Sequence, residues 1–289
     1  DEAVSTDPMD YPAEIRGVVK DYAATETTKT VSSIWTEGDA IGVTTAAGIS
    51  KISYIMTDDR NVKYAYNAEK DVFQVVSKEG EDHTIYFKGP YTMSMTAYAP
   101  YTGERGTLAG VIQASTTSEK QVGTARATID FLYAEGGGSQ TNPRVEFQFF
   151  HKMSQLVLAS KAGGGLELDD ISYTLKNIIL DGSFDTSAGS VASGKTTGNI
   201  NMSLAKGKEM NSSVIVFPQK LASTLLLELA MGGKTYAQPI GNGIDLISGN
   251  TYIFDVTIAP QSMTVSPAKI EDWIWGENSD HYVIAGESE

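Results

Sequence analysis

Residues 225–231 read LLLELAM. Leu225, Leu227, Leu229 and Met231 fall on one side of an extended chain, and Leu226 and Glu228 on the other. A spacing of two fits a strand with one face on a core. A helix would need apolar residues at spacings of three and four. The same alternation recurs on both sides. Tyr252, Phe254, Val256 and Ile258 carry it toward the C-terminus. Upstream lie Ile171, Tyr173 and Leu175, then Val145, Phe147 and Phe149, then the series Ala125, Ala127, Ile129, Phe131 and Tyr133. Tyr91, Met93, Met95 and Ala97, Val62, Tyr64 and Tyr66, and Ile52, Tyr54 and Met56 extend it further. The strongest helical stretch, His151 to Ser160 (HKMSQLVLAS), is short, and its Leu156-Val157-Leu158 reads equally as a buried strand. Many short strands separated by turn clusters predict an all-β chain built of β-sandwiches.

At 289 residues the chain has room for two domains. The polar, glycine-rich run Glu135–Pro143 (EGGGSQTNP) is the natural boundary, giving domains 1–140 and 141–289. A hydrophobic fraction of 41% supplies real cores. The net charge of −14 repels nucleic acid and anionic lipid, and no basic patch interleaved with aromatics offsets it. The absence of cysteine excludes thiol catalysis and cysteine-based zinc sites. No apolar run approaches the ~20 residues that span a bilayer. The chain opens on the acidic stretch DEAVSTDPMD, which reads as the start of a mature or trimmed chain without its leader.

Few motifs suggest chemistry. Gly189 to Thr196 (GSVASGKT) fits the phosphate-binding expression G-x-x-x-x-G-K-[ST]. That chemistry needs a strand before the loop and a helix N-terminus behind it. Here TGNINMSL follows, so a Gly/Ser-rich hairpin is the plainer reading. His83, His151 and His281 lie far apart and lack metal-ligand spacing. The pairs Asp58-Asp59 and Asp169-Asp170 lack calcium-loop spacing and read as turn residues. Neither a G-x-S-x-G elbow nor H-E-x-x-H occurs. No catalytic residue, cofactor or metal is expected. The 14 tyrosines and 3 tryptophans could line a glycan platform, but at period two they read as core and sheet-face packing.

Several phrases, taken in order, carry a resemblance. They are Trp35-Thr-Glu-Gly-Asp-Ala-Ile-Gly-Val43, Ala97-Tyr-Ala-Pro-Tyr101, Asp130-Phe-Leu-Tyr-Ala134, Phe149-Phe-His-Lys-Met-Ser-Gln-Leu156, Gly249-Asn-Thr-Tyr252 and Ile270-Glu-Asp-Trp273. Together they span nearly the whole chain, which resembles the Bacteroidales fimbrillin-like family of type V pilus subunits. The resemblance implies two tandem transthyretin-like β-sandwich domains. It implies export as a lipoprotein whose lipidated cysteine lies upstream of Asp1, and a place on the cell surface, at the outer membrane, in a fimbrium. It also implies assembly by donor-strand exchange. A protease removes an N-terminal strand after an arginine, and the opened groove accepts a strand from another fimbrial subunit. Arg16, the only arginine before Trp35, is the candidate processing site. His281, Tyr282, Val283 and Ile284 are the candidate donor strand, although short for one. The alternative is a surface adhesin or glycan-binding lipoprotein that does not polymerise. It would meet a host or microbial surface receptor through loops such as Tyr98–Tyr101. Neither reading needs nucleic acid as a partner or the membrane beyond a lipid anchor.

Overall fold

A computed structural model describes residues 11–19, 35–45, 59–87, 92–206 and 209–273. Strands are the dominant element of the described residues, which hold almost no helix, and the fold is all-β. The series Ile52, Tyr54 and Met56, the residues Asp58 and Tyr91, and the stretch from His281 to Ile284 lie outside them.

Among the described residues, seven strands of the first half close into a barrel. Around the ring they run Arg144–His151, Glu14–Val19, Val72–Val75, Val62–Asn67, Ala40–Thr45, Met93–Ala99 and Leu132–Gly138. The alternation read from the sequence holds: Val62, Tyr64 and Tyr66, Met93, Met95 and Ala97, and Val145, Phe147 and Phe149 are all buried in the barrel core. Each run places its apolar set on one face, as the pleat requires.

The second half packs two sheets face to face. One holds Glu209–Val216, Ser154–Ala162 and Asn250–Ala259, with Ser262–Val265 and Lys269–Asp272 along the far flank of the last. The other holds Thr197–Leu204, Ile171–Ile179, Leu226–Met231 and Lys234–Pro239. Their inner faces share a core that includes Leu225, Leu227, Leu229, Met231, Tyr252, Phe254, Val256 and Ile258.

A three-stranded sheet of Val111–Ser115, Asp181–Asp185 and Ser190–Ser193 joins the halves. Beneath it lies an aromatic cluster drawn from both: Tyr98, Phe131, Tyr133, Phe184, Phe217 and Trp273. Phe131 and Phe184 stack at 4.8 Å between centroids.

Two readings change, and one left open between helix and strand is decided as strand. The run Glu135–Pro143 is no loose linker. Leu132–Gly138 is a barrel strand, and Ser139 and Asn142 close a tight turn. Its glycines leave the space that Phe147 and Phe87 fill. The division expected at 140 and 141 therefore falls within this hairpin, and Arg144–His151 joins the barrel from its far side. The alternating series at Ala125 and Ala127 is not a strand but the 3₁₀ helix Gly123–Thr128. Alanine has weak strand preference, and the buried residues are Arg126 and Ile129, three apart as a 3₁₀ turn dictates. HKMSQLVLAS contains no helix. Ser154–Ala162 is a central strand flanked by Glu209–Val216 and Asn250–Ala259.

Candidate functional site: the groove beneath Glu14–Val19

Glu14–Val19 (EIRGVV) is the strand on which the barrel closes. It runs parallel to Arg144–His151 over six residue pairs, from Glu14 opposite Arg144 to Val19 opposite Phe149. On its other side the antiparallel ladder has a single pair, Ile15 with Phe73. Every other neighbouring pair in the ring is antiparallel. Without this strand, Arg144–His151 and Val72–Val75 would each present an unpaired edge to a common gap.

Alternation points Ala13, Ile15 and Val19 inward, where all three are buried. Full burial of Ile15 and Val19 contributes about 1.5–3 kcal/mol each. The remaining inward position is Gly17. A Cβ there would lie 2.7 Å from Phe149 Cε2 and 3.1 Å from Phe73 Cε2. Only glycine lets those rings reach the strand. Trp35 stands edge-on to both rings, at 5.0 Å from Phe73 and 5.2 Å from Phe149. Its Nε1–H donates to the Gly17 oxygen at 3.0 Å. Apolar packing and one side-chain hydrogen bond thus hold the strand from beneath.

Arg16 lies on the outward face, partly exposed, with its Nε buried and without a hydrogen-bond partner. Its register neighbour Glu146 is engaged by Arg144 at 2.7 Å. The Arg16–Gly17 peptide bond sits mid-strand inside the sheet, so a protease reaches it only after the strand peels away. The candidate donor residues His281, Tyr282, Val283 and Ile284 lie outside the described residues.

The other candidates have structural roles. Within GSVASGKT, Ser190–Ser193 is a strand of the hairpin with Asp181–Asp185, and Thr197–Leu204 after it is also a strand. Asp181 Oδ1 accepts the Thr196 N–H at 2.7 Å. The Asp181 carboxylate also fills the space a Cβ on Gly194 would need. An anion from the chain itself occupies the loop, and no helix N-terminus faces it. His83 Nε2 meets Glu81 Oε2 at 2.5 Å. His151 Nδ1 meets Asp130 Oδ1 at 2.7 Å, and its ring stacks on Trp273 with centroids 4.1 Å apart. Among the described residues no group of three or more His, Asp or Glu could hold a metal ion. Asp59 pairs with Arg105 at 3.4 Å. Asp169 Oδ1 accepts the N–H of its neighbour Asp170, whereas Asp170 Oδ1 accepts the N–H of Lys206, 36 residues away, and so ties two distant segments together.

Tyr98 offers little to a glycan. It is buried, and its hydroxyl lies within donating distance of two acceptors, Asn61 Oδ1 at 2.7 Å and the Thr102 carbonyl oxygen at 2.9 Å. Tyr101 is half-buried, with the Lys63 ammonium over its ring at 5.4 Å.

The sequence singles out Arg16 as a processing candidate and Trp35 as the start of a family phrase, and nothing in it brings Gly17, Phe73 and Phe149 together with them. A glycine inside the strand-forming EIRGVV was the available sign of a close approach.

Solved structures share this all-β fold. A cell adhesion candidate from Bacteroides ovatus is 31% identical, with a TM-score of 0.82 over 93% of this chain and 100% of that one. The tip fimbrial protein of Porphyromonas gingivalis, solved with a C-terminal truncation, shares the fold at 9% identity, with a TM-score of 0.50 over 92% of this chain and 100% of that one. A candidate fimbrium subunit from Bacteroides uniformis is 27% identical over 265 residues, 86% of this chain and 82% of its own. The fimbrillin-like family profile matches residues 24–273, and the chain belongs to that family.

Proposed function

We propose that this protein is a non-catalytic subunit, structural or tip, of a cell-surface fimbria that assembles by strand complementation with other fimbrial subunits. The observation that carries the reading is the placement of Glu14–Val19, which closes the barrel through one parallel ladder and a single antiparallel pair. A strand so placed leaves a ready groove when removed. A cut after Arg16 frees only the part up to Arg16. The groove it opens offers main-chain groups along the start of Arg144–His151 and inward pockets at the positions of Ala13 and Ile15, while Gly17–Val19 stay with the core and must be displaced for a longer strand to enter. Backbone hydrogen bonds supply affinity and alternate side chains supply register. Arg16 is the processing residue in this reading, and His281, Tyr282, Val283 and Ile284 belong to the strand given to a neighbour. Two tandem transthyretin-like domains, and attachment to the outer membrane through an upstream lipid anchor, complete it. The fimbrial and adhesion relatives support it, since their names describe surface structures and not enzymes.

The test is complementation. A chain beginning at Gly17 is prepared and titrated with a labelled peptide of residues 11–16, from the part that the cut removes. Saturable binding that restores the thermal stability of the whole chain is expected. A folded Gly17 chain that binds no peptide overturns the reading.

A further inference from the structure

The second half has an open flank where two edge strands, Glu209–Val216 and Thr197–Leu204, end their sheets. A segment from the first half covers it. Ser118–Lys120 and Gly123–Thr128 form two short 3₁₀ turns there. In an antiparallel ladder, alternate residues of an edge strand turn both N–H and C=O outward. Ile215 is one such residue, and the Gln121 carboxamide satisfies both groups. Gln121 Oε1 accepts the Ile215 N–H at 2.8 Å, and Nε2 donates to the Ile215 oxygen at 2.8 Å. The same Nε2 also donates to the Thr116 oxygen at 2.9 Å. That paired contact is what a residue of a neighbouring strand would make.

Two residues along, Arg126 continues the cover. Its Nη1 donates to the Ser213 oxygen at 2.9 Å and its Nη2 to Ser213 Oγ at 2.8 Å. On the other sheet, Ser118 Oγ accepts the Asn201 N–H at 2.9 Å. Gln121 is fully buried and Arg126 is 8% exposed. Burying a guanidinium without a carboxylate on it is costly. Here it is spent on main-chain and hydroxyl oxygens of an edge strand.

We infer that residues 118–128 are a built-in edge plug. Gln121 and Arg126 stand in for a neighbouring strand, so the outer edge of Glu209–Val216 cannot pair with the same edge of a second copy of this chain. An uncovered edge of that length is a template for such pairing. Self-association through the second half is thereby suppressed, whichever way the first half engages partners.

The test uses the whole chain with Gln121→Met and Arg126→Met, which keep bulk and remove the polar groups. Near-ultraviolet dichroism reports folding. Sedimentation across a hundredfold concentration range reports association, and amide exchange is followed at Ile215. The plug predicts a folded variant whose Ile215 amide exchanges at least tenfold faster when dilute. It also predicts that the variant dimerises as concentration rises, with Ile215 protection returning in the dimer. Should the double variant lose native dichroism, Gln121→Met alone carries the same test. Val122→Ala, on the exposed side of the segment, is expected to leave all readouts unchanged. A folded variant that stays monomeric throughout, or dimerises without regaining Ile215 protection, overturns the inference.

Discussion

The indole Nε1–H of Trp35 donates to the main-chain oxygen of Gly17 at 3.0 Å, one residue past the candidate processing site. Trp35 therefore holds Glu14–Val19 by a polar contact as well as by its ring. Trp35→Phe keeps most of the packing and loses the bond. Urea unfolding is expected to show a loss of about 0.5–1.5 kcal/mol. Trp35→Ala is expected to lose about 3–5 kcal/mol. Equal stability of Trp35→Phe and the parent would show that the bond adds nothing.

Gly17→Ala puts a methyl group against Phe149 and Phe73. Overpacking of this kind costs about 1–3 kcal/mol. Because Trp35 touches the same rings, the double variant Gly17→Ala, Trp35→Phe should be non-additive in a mutant cycle. Strict additivity would mean that the strand and the indole are energetically independent.

Alkaline pH should unfold the protein through its buried phenols. Burial, ahead of the other causes, pushes Tyr98 and Tyr133 up to about 12, and it raises Tyr64 and Tyr173 as well. Unfolded phenols titrate near ~10. Above that pH the unfolded chain has released protons that the native chain retains, so stability falls as pH rises. It is complete below the unfolded pKa and is lost as pH climbs through about 12. Far-ultraviolet dichroism and phenolate absorbance should change together across this window. Phenols that all ionise near ~10 with the dichroism intact would contradict the assignment.

The GSVASGKT loop should not bind nucleotide. Asp181 bonds to the Thr196 N–H and repels a phosphate from the same place. ATP with magnesium at millimolar concentration is expected to leave Tm unchanged. A Tm that climbs with ATP concentration, as linkage demands of a native-state ligand, would refute this.

What the sequence disclosed divides along physical lines. Strands buried on one face declare themselves by period two, so LLLELAM and the run from Tyr252 to Ile258 were legible residue by residue. The segment around Ala125 misled because alternating small residues imitate a strand, whereas its conformation follows from Arg126 reaching Ser213, 87 positions away. EGGG looked like a hinge because glycine has no local pattern. The rings of Phe147 and Phe87 explain it, and they come from elsewhere in the chain. Arg16 was legible as an isolated arginine, but the parallel pairing of its strand with Arg144–His151 was not. Strand partnership across 130 residues leaves no trace in the alternation of either strand.

The central claim is that Glu14–Val19 closes the barrel reversibly and that release of its part up to Arg16 by a cut after that residue yields a strand-accepting subunit. Arg-specific proteolysis of the whole protein, followed by N-terminal sequencing and size analysis, tests it most directly. The account predicts slow cleavage, set by peeling of Glu14–Val19 and quickened by Trp35→Phe. It then predicts a folded core that begins at Gly17 and assembles into higher oligomers, with no such core from Arg16→Ala. A protein cut at Arg16 that remains a stable, folded monomer would contradict it.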